Sequence, residues 1–148
     1  MNFDKYASKG NRILNEIASE FGPPENSDLS ARLLRSTLHT LRERLTVEES
    51  FHLLAQLPFV LKAMYVDGWK YNNKPERIKT IKDFVRKVIH EDRPVAHHDI
   101  QTAKDGENAV KAVLKILQKH VSQGEFEDIL LTIPGDLHPL FGKEPVKS

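Results

Sequence analysis

Residues Leu34 to Tyr65 read LRSTLHTLRERLTVEESFHLLAQLPFVLKAMY, and Val110 to Phe141 read VKAVLKILQKHVSQGEFEDILLTIPGDLHPLF. Laid over one another at an offset of 76 residues, the two stretches need no gap. Leu34, Leu38, Leu41 and Leu45 fall on Val110, Leu114, Leu117 and Val121. Thr46 and Glu49 fall on Ser122 and Glu125. Leu53, Leu54, Leu57 and Pro58 fall on Ile129, Leu130, Ile133 and Pro134, with Leu61 on Leu137 and Tyr65 on Phe141. Self-similarity of this kind reads as one structural unit present twice.

Upstream, Ile13, Leu14, Ile17 and Ala18 match Phe84, Val85, Val88 and Ile89 at an offset of 71. The second unit thus carries five extra residues, placed around Arg93 to His98. Residues 1–74 are expected to form the first helical unit and 75–148 the second, together one compact domain.

The steps between Leu34, Leu38, Leu41 and Leu45 are four, three and four, which keeps all four on one side of a helix. Val110, Val113, Leu114, Leu117 and Val121 make the corresponding stripe. Each stripe runs into a Ser/Thr-x-x-Glu capping box, Thr46 to Glu49 and Ser122 to Glu125. There the hydroxyl accepts from the third helical N–H, and the glutamate reaches back to the N–H of the cap. Short helices are predicted over 47–57 and 123–133. Pro58 and Pro134 then restart the chain, since proline suits a first helical turn, and further short helices are expected over 58–66 and 134–141. Strand-like alternation is absent over any useful length. The predicted fold class is all-α: two pseudo-repeated units, each a helix, a long helix and two short helices, packed on a shared core.

Composition sets the outer limits. The chain has 148 residues, 22 Lys and Arg against 21 Asp and Glu, and no cysteine. A chain of this length buries about 70% of its unfolded surface, enough to be stable without a disulfide or metal. The near-neutral balance argues against a basic nucleic-acid coat, and the missing cysteines exclude thiol catalysis and cysteine-held metals. Apolar runs are short, far from the roughly 18 residues of a membrane span. Met1 to Lys5 lacks a secretory pattern. A cytoplasmic location is expected.

The repeated capping boxes and Leu/Ile-Pro elements flank Met64-Tyr65-Val66-Asp67-Gly68-Trp69, and the chain opens with Tyr6-Ala7-Ser8-Lys9-Gly10-Asn11. In this order the motifs resemble a bacterial family catalogued as domain of unknown function 2267. The resemblance implies a small helical bacterial protein and carries no catalytic residue, substrate or cofactor.

Three groups of residues are candidates for function. Seven basic side chains lie between Lys70 and Lys87 against Glu76 and Asp83. Of these Lys79, Lys82, Arg86 and Lys87 form the candidate polyanion-binding set, with Trp69 and Tyr71 at its edge. The simpler reading is the wet face of a helix whose inner face is Ile78, Ile81, Phe84, Val85 and Val88. His90, Asp92, His97, His98 and Asp99 have metal-ligand chemistry. They lack a His-x-x-x-His pair on one helix face, and a solvated loop is the expected state. His39, His52, His120 and His138 are expected at surface or helix-end positions. Trp69, after Asp67-Gly68 at the junction, is expected to pack between the units.

Thr46, Glu49, Ser122 and Glu125 are assigned structural capping roles. Nucleophile elbows, phosphate-cradling loops and dinucleotide fingerprints are absent. The sequence therefore singles out no catalytic, cofactor-binding or metal residue and leans away from an enzyme. The expected function is a helical protein-interaction or scaffold module, binding an unidentified protein partner or itself, without a cofactor. Nucleic-acid binding through residues 70–87 is the alternative.

Overall fold

The leucine stripes become helices in the computed structural model, which describes residues 2–22, 25–70, 74–91, 100 and 102–143. In the first half, α1 spans Asp4–Glu20, α2 Ser27–Arg44, α3 Val47–Gln56 and α4 Phe59–Val66. In the second half, α5 spans Ile81–Glu91, α6 Ala103–Lys119 and α7 Gln123–Thr132, and a 3-10 helix covers Gly135–Phe141. The described residues contain no strand. The fold is all-α.

Local chemistry explains the boundaries. Asn26 opens α2 by accepting from the Leu29 N–H, and Thr102 opens α6 by accepting from the Asp105 N–H. At α3 the cap is reciprocal. Thr46 Oγ1 accepts from the Glu49 N–H at 3.1 Å, and Glu49 Oε1 accepts from the Thr46 N–H at 2.8 Å.

The corresponding cap at α7 differs from expectation. Ser122 Oγ accepts from the Glu125 N–H at a longer 3.4 Å, and the Glu125 carboxylate takes the Ser122 hydroxyl proton at 2.7 Å. A hydroxyl on the same turn has captured the carboxylate that would otherwise reach the backbone. The two final short helices also differ. Pro139 lies inside the second, where the first half has Ala63. It supplies no N–H for an α-helical bond, and the segment winds as a tighter 3-10 helix.

α2 lies at the centre, packed against α1, α4, α5 and α6. α5 packs on α6, and α3 on α7. One apolar cluster draws on both halves, with Ile13, Leu34, Leu38, Tyr65, Phe84, Val88, Leu114 and Leu137 all buried.

The single leucine stripe understates the burial of α2. Ser30, Ser36, Thr37, His39, Thr40 and Arg42 are also buried, so this helix is enclosed on most of its circumference. Small hydroxyl residues permit this. Thr40 Oγ1 donates to the Ser36 carbonyl at 2.8 Å, and Ser30 Oγ to the Asn26 carbonyl at 3.1 Å, without leaving their own helix.

The caps give a differential expectation. Thr46→Ala and Glu49→Ala should each lower unfolding free energy by about 1 kcal/mol. Glu125→Ala should cost clearly less than Glu49→Ala, since Glu125 binds no backbone N–H of its cap. Urea unfolding of the variants checks the order; equal losses at Glu49 and Glu125 would contradict it.

Candidate functional site

Two polar constellations and one groove stand out, and each is positioned by α2 or α5. On α2, Arg35, His39 and Arg42 follow steps of four and three and face the end of α4. Arg42 is only 8% exposed. Its Nη1 donates to the carbonyls of Tyr65 at 2.8 Å and Asp67 at 2.9 Å. His39 Nε2 lies 2.8 Å from the Met64 carbonyl, to which it donates as the Nε2–H tautomer. Arg35 meets the Asp67 carboxylate at 2.7 Å.

Three side chains of one helix thus close the C-terminal end of another, where carbonyls lack helical partners and positive charge is favoured. The Trp69 ring completes the cluster. It meets Tyr65 edge-on at 5.8 Å between centroids, and the Arg42 guanidinium lies 5.9 Å from it. Both of these partners belong to the first half, and the ring also borders a cavity shared with Pro75 and Glu76 of the second. Gly68, with φ of +68°, supplies the left-handed turn that brings it there.

Burial pushes the Tyr65 hydroxyl up to about 12, against a hydrogen bond with Ser50 that acts the other way. Burial likewise lowers the His39 pKa, aided by Arg42 and Arg35, although its bond to Met64 opposes the shift. For Asp67 the Arg35 hydrogen bond, then its charge, holds the carboxyl below the ordinary range. These groups do structural work: they satisfy backbone carbonyls or one another.

The second constellation is the basic segment. Helix begins only at Ile81, so Lys79 sits on irregular chain before α5 and is exposed. Lys82 and Arg86 are exposed on α5. Lys87 instead turns inward, to Glu43 at 3.1 Å, Glu76 at 3.4 Å and Glu91 at 3.8 Å. Its partial burial would lower the ammonium pKa, but the hydrogen bond and charge of Glu43, joined by Glu76, outweigh that and raise it. Lys87 is therefore engaged by carboxylates of its own chain, while Lys79, Lys82 and Arg86 remain without an ion pair among the described residues.

Between α5 and α6 lies a groove of about 630 Å³. Ile81, Val85, Ile89 and Ala103 form its floor, with Lys82, Arg86, Lys104 and Glu107 around it. Close approach of the two helices depends on Gly106, whose absent Cβ would stand 2.8 Å from Val85 Cγ1 and 3.1 Å from Ile89 Cδ1. Sequence reading assigned Ile81 and Val85 to the core face and did not single out Ala103 or Lys104. A signal existed. At about 100° per residue, Phe84, Val88, Ile81, Val85 and Ile89 cover an arc of about 140°, and part of it faces the groove.

The remaining candidates fall into place variously. His138, expected at a surface or helix end, is buried under the end of α7, with Nε2 2.8 Å from the Leu130 carbonyl and 3.0 Å from that of Ile133. His39 is likewise interior. His120 follows α6 and meets Glu16 of α1 at 3.3 Å. His52 is exposed and shares a polar groove with Glu49, Glu125 and Asp128. His90 is exposed near the end of α5, and Asp92, His97, His98 and Asp99 lie outside the described residues. Among the described residues no three His, Asp or Glu side chains are placed to hold a metal ion, and no helix is long and apolar enough to cross a membrane.

A family model described as an uncharacterized conserved protein, DUF2267, matches residues 10–140. The chain belongs to this family. The matched region runs from the middle of α1 to the last turn of the 3-10 helix, so both Arg42 and the groove lie within the DUF2267 match. Curated proteins give no match to the chain.

Two measurements test the α2–α4 cluster. Arg42→Ala should cost about 2–3 kcal/mol, because two carbonyl bonds to a charged donor are lost; Arg42→Gln should cost less, since one bond can persist. Guanidinium unfolding gives both values, and equal loss would contradict the assignment. The raised Tyr65 pKa contributes stability that is complete below its unfolded value of 10.0 and is lost as pH rises towards about 12. Thermal scans should show a smaller alkaline decline in Tyr65→Phe than in the wild type. The raised Lys87 pKa acts in the same direction, so some decline should persist.

Proposed function

We propose that this protein is a non-enzymatic interaction module that receives a segment of a partner protein in the groove between α5 and α6. The observation that carries this reading is the groove itself: an apolar floor of Ile81, Val85, Ile89 and Ala103 beneath about 630 Å³ of open space among the described residues. Helical proteins commonly bind an amphipathic helix in such a channel. The buried Arg42, His39 and His138 support the same view, because each is engaged with backbone carbonyls of its own chain. The family resemblance implies a bacterial protein, and a cytoplasmic setting is part of the same proposal.

Polyanion binding is the second reading. In its favour, Lys79, Lys82 and Arg86 are exposed and have no ion pair among the described residues. Against it, Lys87 is held by three carboxylates and the adjoining surface is apolar. A nucleic-acid site should bind with affinity that falls steeply with salt and should vanish when Lys79, Lys82 and Arg86 are neutralised together.

A photo-crosslinking amino acid at Ala103, an exposed position on the groove floor, tests the favoured reading in the native host. Discrete protein adducts are expected from Ala103 and not from Asp28, an exposed residue at the start of α2. Absence of protein adducts at Ala103, or identical adducts from both positions, would overturn it. Sedimentation of the untagged protein then shows whether the adduct is a second copy of the chain.

A further inference from the structure

Resting on the interaction-module reading, we infer that the α5–α6 groove selects an acidic amphipathic helix, with apolar side chains entering the floor and carboxylates meeting Lys82, Arg86 and Lys104. The floor sets the shape of the occupant. Ile81, Val85 and Ile89 are spaced four residues apart, so the channel follows α5 for eight residues, about 12 Å. That length takes roughly two turns of a docked helix, whose i, i+3, i+4 and i+7 side chains present one apolar stripe.

The rim sets its charge. Lys82 and Arg86 stand on the α5 side and Lys104 on the α6 side, all exposed and without an ion pair among the described residues. Among the described residues the one acidic residue of the rim, Glu107, is already paired with Lys111 at 3.3 Å. A stripe flanked by glutamate or aspartate on both sides therefore meets cations on both rims, whereas a lysine-flanked stripe meets like charge. Such complementarity governs partner choice and encounter rate.

Three peptides of about four turns give the test. The first carries leucine at i, i+3, i+4 and i+7 with glutamate on the flanks. The second replaces glutamate by lysine. The third keeps the glutamates and scrambles the leucines. Fluorescence polarisation with the full chain should show the first bound at least about tenfold more tightly than either of the others, with a moderate loss in added salt. Amide shifts in NMR spectra should centre on α5 and α6.

The triple variant Lys82→Glu, Arg86→Glu, Lys104→Glu changes only exposed side chains. It should lose the glutamate peptide and gain the lysine peptide. Equal binding of all three peptides, no binding of the first, shifts located elsewhere, or a single-stranded oligonucleotide that binds more tightly than the first peptide would each overturn the inference. Crosslinked partners whose docked segment is neutral or basic would defeat this charge assignment while leaving the module reading intact. Absence of any adduct would defeat the module reading itself.

Discussion

Enclosure of α2 is the constraint on which the rest of this structure depends. A helix packed against α1, α4, α5 and α6 keeps little wet surface, yet its sequence contains serine, threonine, histidine and arginine. Each buried polar group must find a partner, because an unmet one costs about 1–3 kcal/mol. The Ser30 and Thr40 hydroxyls turn back to their own helix, and the long side chains reach outward. Arg42 and His39 find the free carbonyls at the end of α4 and tie the two helices together there. Arg44 does the same at the other boundary, donating to the Ile78 carbonyl at 3.1 Å and fixing the irregular chain that leads into α5.

The two halves place their elements in the same order, and several paired positions do the same work. Arg42 bonds the Tyr65 carbonyl in one half, and Gln118 bonds the Phe141 carbonyl in the other, each at 2.8 Å. Tyr65 meets Ser50 through a hydroxyl bond, while Phe141 meets Phe126 ring to ring at 5.7 Å. In the first pair a backbone carbonyl is bonded in both halves, by a charged donor in one and a neutral amide in the other; in the second a polar side-chain contact is replaced by an apolar one. Pro139 and the altered cap at Ser122 are further departures, each traceable to one residue.

Much of the fold was legible because it rests on local rules. The capping boxes and the prolines placed the four short elements to within a residue, and the apolar stripes located the longer helices without fixing their ends. Burial of His39, Arg42 and His138 was not legible, since their partners are backbone carbonyls that only the folded chain brings near. Lys87 reads as one more surface cation until Glu43, from a distant helix, is placed beside it. Trp69 was read from its position in the sequence, which did not name its ring partners Tyr65 and Arg42. The groove was hidden for a different reason: periodicity reports that a face is apolar, not whether a neighbour covers all of it.

The contrast between Arg42 and Gln118 bears on how the molecule breathes. A doubly bonded guanidinium holds the C-terminal end of α4, while the last segment is held by the Gln118 amide and by its own His138 against the Leu130 and Ile133 carbonyls. Hydrogen bonds from charged donors are the stronger kind, and proteins open first where their restraints are fewest. Within 59–66, opening should therefore begin at the exposed Phe59 end and reach the carbonyls under Arg42 last.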